Sequence, residues 1–202
     1  MHFENIIKEI QASTWRKARP APNKTALLVI DMQEYFRSVA LEIIPNVQTL
    51  VVSCRKNSIP VIFTQHGHRD PTMDGGMLAQ WWEELIMVGT RDWEIIPELS
   101  PEPGDKIIAK KRYSAFFETD LDVYLKDLRI TDLLITGVMT NLCCETTARE
   151  AFMRDYRVFF LADATATSED EFHLASLKNL AFGFAYIVTC EEVIRWLDEG
   201  FR

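Results

Sequence analysis

Long apolar runs are missing from this chain. No stretch approaches the roughly 18 uncharged residues that a membrane-spanning helix needs, so no membrane partner is expected. Cysteine is sparse, with only Cys54, Cys143, Cys144 and Cys190 in 202 residues. Irregularly spaced cysteines do not build the disulfide framework of a small secreted domain, and without a C-x-x-C pair the commonest structural zinc signature is lost. Positive charge is also in deficit. Lys and Arg total 22 against 30 Asp and Glu, a net charge of −8, which argues against a nucleic-acid partner. The opening stretch MHFENIIKEIQASTWRKARPAPNKT lacks the apolar segment of a signal peptide. Repeats and low-complexity tracts are absent too. These absences lead to the expectation of a cytoplasmic protein, with an N-terminal arm over residues 1–24 and one domain over residues 25–202. A composition that is 48% hydrophobic is enough to give that domain a substantial core.

What is present is a set of short apolar runs separated by amphipathic stretches. TALLVI (25–30), PVIFT (60–64), KIIA (106–109), DLLITGV (132–138), RVFFLAD (157–163) and FAYIVT (184–189) read as strands buried on both faces, as in parallel sheets. Helices are expected over 3–11, 46–57, 142–154, 169–180 and 191–197. Another starts near Thr119, where Thr119 and Asp122 have capping-box spacing and Leu121, Tyr124, Leu125 and Leu128 form an apolar stripe. Pro20 and Pro22 break the chain before the first strand. The alternation predicts an α/β protein with a mostly parallel sheet and helices on both faces. Sites in such sheets form at the C-terminal ends of strands. The connection from Gln65 to Asp105 is long, carries Trp81, Trp82 and Trp93, and shows at most a short helix near 77–86.

Three strand ends carry chemistry-bearing residues. Asp31 follows the first run and reads either as a turn former or as a buried general base. Lys110 and Lys111 follow the third; a solvated pair is the plain reading, a lysine fixing a carboxylate the functional one. After the fourth run comes MTNLCCE, in which Asn141 is a candidate N-cap and both cysteines fall in the first helical turn. A thiol there feels unpaired N–H groups and the helix dipole, which lower its pKa, although cysteine is also a common small core residue. Cys144 aligns with Ala148, Ala151 and Phe152 as a core stripe. Cys143 points about 100° away, toward Thr147 and Glu150, and is the better nucleophile.

Asp, Lys and Cys at successive strand ends resemble the triad of the isochorismatase-like cysteine hydrolases. LLVIDMQEYF is similar to that family's first strand and aspartate, KKRYSAFFETDL to its lysine motif, and ITGVMTNLCCETTAREAF to its nucleophile motif. The motif spacings select Lys110 over Lys111 and Cys143 over Cys144. The resemblance implies a three-layer α/β/α fold with a six-stranded sheet, a cis peptide between Val138 and Met139, and an oxyanion hole from the N–H groups of Met139 and Cys143. It also implies hydrolysis of a small amide or ureido compound through a thioester, with no cofactor, and assembly as a dimer or tetramer.

The family has other branches. Isochorismatases cleave a vinyl ether without a nucleophilic cysteine; DMQEYF, KRYSAFF and AFMRDYRVFFLADA are similar to theirs, but a glycine is usual where this chain has Cys143. Nicotinamidases hold a metal through an Asp-x-His motif. Here that place reads QHGHRD, with His66 where the Asp would stand and Asp74 the only further candidate near His68, so no metal is expected. The remaining alternative is a non-catalytic binding or scaffold protein on the same fold. Phe36, His66, His68, Trp81 and Tyr113 are the expected pocket residues, with Phe116 and Trp82 as further aromatics; adjacent Trp81 and Trp82 cannot both face inward from one helix. His173 reads as a structural residue at a helix start.

Overall fold

The apolar runs become six strands: β1 Thr25–Ile30, β2 Val61–His66, β3 Lys106–Lys110, β4 Asp132–Val138, β5 Arg157–Ala166 and β6 Ala185–Val188. In this computed structural model, which describes residues 3–21 and 23–199, they form one sheet in the order β3-β2-β1-β4-β5-β6, with every pairing parallel. Pro22, the second proline of the expected break, lies outside the described residues, as do both chain ends. The helices are α1 Phe3–Ala12, α2 Arg37–Ala40, α3 Ile44–Lys56, α4 Pro71–Asp74, α5 Leu78–Trp81, α6 Leu121–Asp127, α7 Glu145–Met153, α8 Asp170–Gly183 and α9 Cys190–Asp198. No helix among the described residues is long and apolar enough to cross a membrane.

Side-chain alternation divides the core into two layers. Ala26, Leu28 and Ile30 of β1 face α1, α6, α7 and α8, while Leu27 and Val29 face α2, α3 and α9. Both faces of β1 and β4 are therefore covered, and every residue of these two strands is buried. Such strands carry continuous apolar runs because neither face meets water. The segment ahead of β1 is docked, with Ile7 and Ile10 of α1 in the core and Gln11 Nε2 donating to Ile187 O of β6 at 3.1 Å.

Several local expectations are corrected. The Thr119–Asp122 capping box does not form, because the Thr119 hydroxyl donates instead to Ala115 O at 2.6 Å and Asp120 precedes α6. Leu128 is 40% exposed, since α6 stops one residue short of it. Asn141 caps nothing. The chain enters α7 through a π-helical turn, Thr140–Cys144, in which Glu145 N–H reaches Thr140 O, and the Asn141 side chain instead accepts from the Thr167 hydroxyl at 2.7 Å. Phe152 leaves the predicted core stripe and lies edge-on to Phe184, half exposed.

The strand order reverses between β1 and β4, the crevice where ligands bind in open α/β sheets. One glycine sets the spacing there. Gly137 has φ +112° and pairs with Ile30, and a Cβ on it would lie 2.0 Å from Ile30 O. The two backbones touch immediately before Asp31 on one strand and the turn that carries Cys143 on the other.

Candidate active site

Asp31 leaves β1 with a left-handed φ of +47° and is completely buried. Its backbone N–H donates to Thr64 Oγ1 at 3.0 Å, and the Thr64 hydroxyl donates back to Asp31 Oδ1 at 2.6 Å. The other carboxylate oxygen, Oδ2, is 2.7 Å from Lys110 Nζ, whose side chain is also fully buried. The ammonium reaches Arg112 O at 2.8 Å, Tyr113 O at 3.2 Å and Cys143 Sγ at 3.5 Å. The three residues singled out at strand ends are thus brought together by β1, β3 and the turn after β4. Lys111 does not join them; it is exposed, 3.8 Å from Asp74.

Burial dominates the electrostatics. It pushes the Cys143 thiol up to about 12, with the Asp31 carboxylate pushing the same way and Lys110 pulling down. The expectation of a depressed thiol pKa is therefore corrected. A π-helical turn sunk beneath the surface offers no solvent to share the thiolate charge, and desolvation outweighs one ammonium and a helix end. For Lys110 burial works toward deprotonation, but Asp31 and Cys143 outweigh it and its pKa is raised. These two shifts favour a neutral Cys143 thiol beside a Lys110 ammonium. Cys144 is wholly buried, its Sγ near Thr136 O at 3.9 Å, and its pKa is pushed well up by burial.

Above Cys143 opens a cavity of ≈ 240 Å³, walled by Tyr35, Phe36, Trp82, Tyr113, Met139 and Leu142 among others, with His66 on its side. Trp82 lines it and Trp81 does not; Trp81 is 74% exposed, at the end of the single-turn α5. Trp82 Nε1 donates to the Tyr113 hydroxyl at 2.9 Å and so closes the wall. Phe116 is a core residue stacked on Tyr156. His68 is fully buried away from the cavity, its Nδ1 3.2 Å from Asp74 Oδ1. The peptide between Val138 and Met139 is cis. His173 braces the turn that carries Cys143, with its Nδ1 2.8 Å from Thr140 Oγ1, and burial lowers its pKa.

Sequence reasoning missed Thr64 and Gln33. Gln33 clamps the end of β2, accepting from His66 N–H at 2.8 Å and donating to His66 O at 2.9 Å. Nothing in the sequence marks a threonine at a strand end as a carboxylate partner. The donor set for a metal does not fit. Among the described residues no group of three or more His, Cys, Asp or Glu side chains stands close enough to hold an ion, and the Nδ1 edge of His68 already faces Asp74.

The model of the isochorismatase domain matches residues 25–192. Nicotinamidase 3 of Arabidopsis thaliana is 50% identical over 90% of this chain and 93% of its own length. Isochorismatase of Bacillus subtilis (strain 168) is 35% identical over 90% of this chain, which spans 60% of that protein. Among solved structures, a cysteine hydrolase from Pseudomonas syringae pv. phaseolicola 1448A superposes with a TM-score of 0.87 at 29% identity, covering 92% of this chain and 99% of that one. With the family model running through all six strands and a half-identical relative along nine tenths of its length, the chain belongs to the isochorismatase family of hydrolases.

Proposed function

We propose that this hydrolase is a cysteine amidohydrolase that cleaves the C–N bond of a small, neutral, flat carboxamide, nicotinamide being the first candidate. One observation carries the reading: Lys110 Nζ lies 2.7 Å from Asp31 and 3.5 Å from Cys143 Sγ, with all three buried and Cys143 the one of them that lines the cavity. A neutral thiol needs a base, and Asp31 is the carboxylate beside it.

In this scheme Asp31 takes the Cys143 proton as Sγ bonds to the amide carbon. The N–H groups of Met139 and Cys143 hold the tetrahedral oxyanion, each contributing about 3–4 kcal/mol in comparable sites. The intermediate collapses, the C–N bond breaks, and Asp31 returns the proton to the departing nitrogen, releasing ammonia. Water, deprotonated by Asp31, then cleaves the thioester to give the carboxylic acid and restore the thiol. Lys110 stays protonated throughout, orienting Asp31 and offsetting the negative charge as it forms on sulfur.

The 50% identity to a nicotinamidase supports the substrate class, and so do the aromatic walls. The lining contains no Arg or Lys and has Glu84 at its mouth, a poor match for isochorismate, a dicarboxylate. Ammonia release from nicotinamide, with isochorismate run in parallel, tests the reading. Turnover is expected with wild type and none with Cys143→Ala. An acyl adduct on Cys143 is expected by mass spectrometry after acid quench. An active Cys143→Ala protein would overturn the scheme.

A further inference from the structure

The cavity is apolar almost throughout. Its polar exceptions are His66, Glu84, Ser168, the Cys143 thiol, the Trp82 indole N–H and the Tyr35 and Tyr113 hydroxyls. Glu84, Ser168 and Tyr35 are exposed, and the Trp82 N–H is already given to the Tyr113 hydroxyl. That leaves His66, only 8% exposed, as the buried polar ring on the wall. Burial lowers its pKa to about 4, with Lys110 working in the same direction, so the ring is neutral at physiological pH.

The backbone that carries this ring is fixed. Both backbone groups of His66 are held by the Gln33 amide, which also donates to Trp93 O at 2.8 Å and so pins the long connection over the site. Nδ1 of His66 is sealed from solvent and has no hydrogen-bond partner among the described residues. A neutral imidazole carries one proton, and an orphaned lone pair costs less than an orphaned N–H. The proton is therefore assigned to Nε2. The edge of the ring left for the cavity is a donor with nothing yet to donate to.

We propose that His66 is a specificity-determining residue: its Nε2–H donates to an acceptor atom in the substrate ring, selecting heteroaromatic carboxamides over their carbocyclic counterparts without a metal ion. This rests on the amidohydrolase reading above. It also accounts for the misfit of the metal donor set. At the place where the similar nicotinamidase motif carries an aspartate, this chain has an uncharged donor, and a ring nitrogen bound there needs no ion to receive it. A site built to hydrogen-bond a substrate atom discriminates strongly against the analogue that lacks it, because the buried donor is then left unpaired.

The test compares nicotinamide with benzamide, which has the same carboxamide but no ring acceptor. Wild type is expected to prefer nicotinamide in kcat/KM by roughly tenfold or more. His66→Leu is expected to bring the ratio close to one, and His66→Gln, which keeps an N–H donor, to restore part of it. Turnover is expected to survive EDTA and 1,10-phenanthroline. A wild-type ratio near one, a preference that persists in His66→Leu, or chelator loss that added zinc reverses would each overturn the proposal. If wild type hydrolyses neither amide, the amidohydrolase reading fails first. Calorimetric binding of the two amides to wild type and His66→Leu then decides the role of His66. Tighter nicotinamide binding that disappears in the variant upholds it, and equal binding of the two by wild type overturns it.

Discussion

Asp31 and Asp132 are both completely buried, on neighbouring strands, at opposite ends of the same sheet. Asp132, at the start of β4, accepts a two-point contact from Arg157, with Nε to Oδ1 at 2.8 Å, and also from the Ala21 N–H and, at 3.1 Å, the Thr131 hydroxyl. Its partners are backbone, a hydroxyl and a guanidinium that does not give up its proton. Asp31, at the end of β1, has one hydroxyl, one ammonium and a thiol beside a cavity. The same side chain is structural where its donors are permanent and geometrically matched, and in the proposed scheme it turns chemical where one neighbour carries a proton that can leave. The end of the sheet decides which. The segment before β1 closes the N-terminal edge, while the C-terminal edge opens to the cavity.

The largest effects should come from breaking the Asp31 end. Asp31→Asn is expected to lower kcat/KM by about 10³-fold or more. It should also cost about 3–5 kcal/mol of stability, because Lys110 is left buried without its counter-charge. Combining it with Lys110→Met should recover much of the stability in urea melts and none of the turnover. A double variant as unstable as the single one would show that the ion pair is not what Asp31 contributes to folding.

Asp132→Asn should do the reverse, losing about 2 kcal/mol, a value kept low because Arg157 is half exposed. Turnover per folded molecule should stay within about twofold, since no step of the chemistry reaches that end. Acid should weaken the catalytic end by another route. His66 takes a proton near its ordinary 6.5 when unfolded but only near about 4 when folded. Stability from this source is complete above pH 6.5 and falls as pH drops toward 4, by on the order of 3 kcal/mol. His66→Gln should flatten that slope in thermal melts. The smallest signal is a rate. Iodoacetamide should label Cys143 slowly at neutral pH and faster only as pH rises toward 12. Fast labelling at pH 7 would mean that Lys110 outweighs burial.

How legible each part was depended on how local its cause is. β1 and β4 match their apolar runs residue for residue, because burial on both faces writes itself directly into composition. β5 runs on to Ala166 past an irregularity between Ile135 and Gly137 in its pairing with β4, and no pattern in DATA marks that. Asp31, Lys110 and Cys143 were legible as residues, since strand-end position and motif spacing are sequence properties. Their electrostatics were not. The Cys143 pKa depends on burial by loops far along the chain, and a π-helical turn and an α-helical first turn read alike from TNLCC. The choice of Trp82 over Trp81 depended on where a four-residue helix stops, which propensity does not resolve.

Gly137 ties β1 and β4 together in a way that side chains do not. Where ordinary core positions tolerate exchange by letting neighbours slide, here main chain meets main chain, with Ile30 O standing where any Cβ would be. The gap between the β1 and β4 ends that carry Asp31 and Cys143 is gauged by peptide geometry, so variation in either core layer can repack around them without resetting it. Tolerance to change elsewhere and intolerance at this one position are two sides of the same contact.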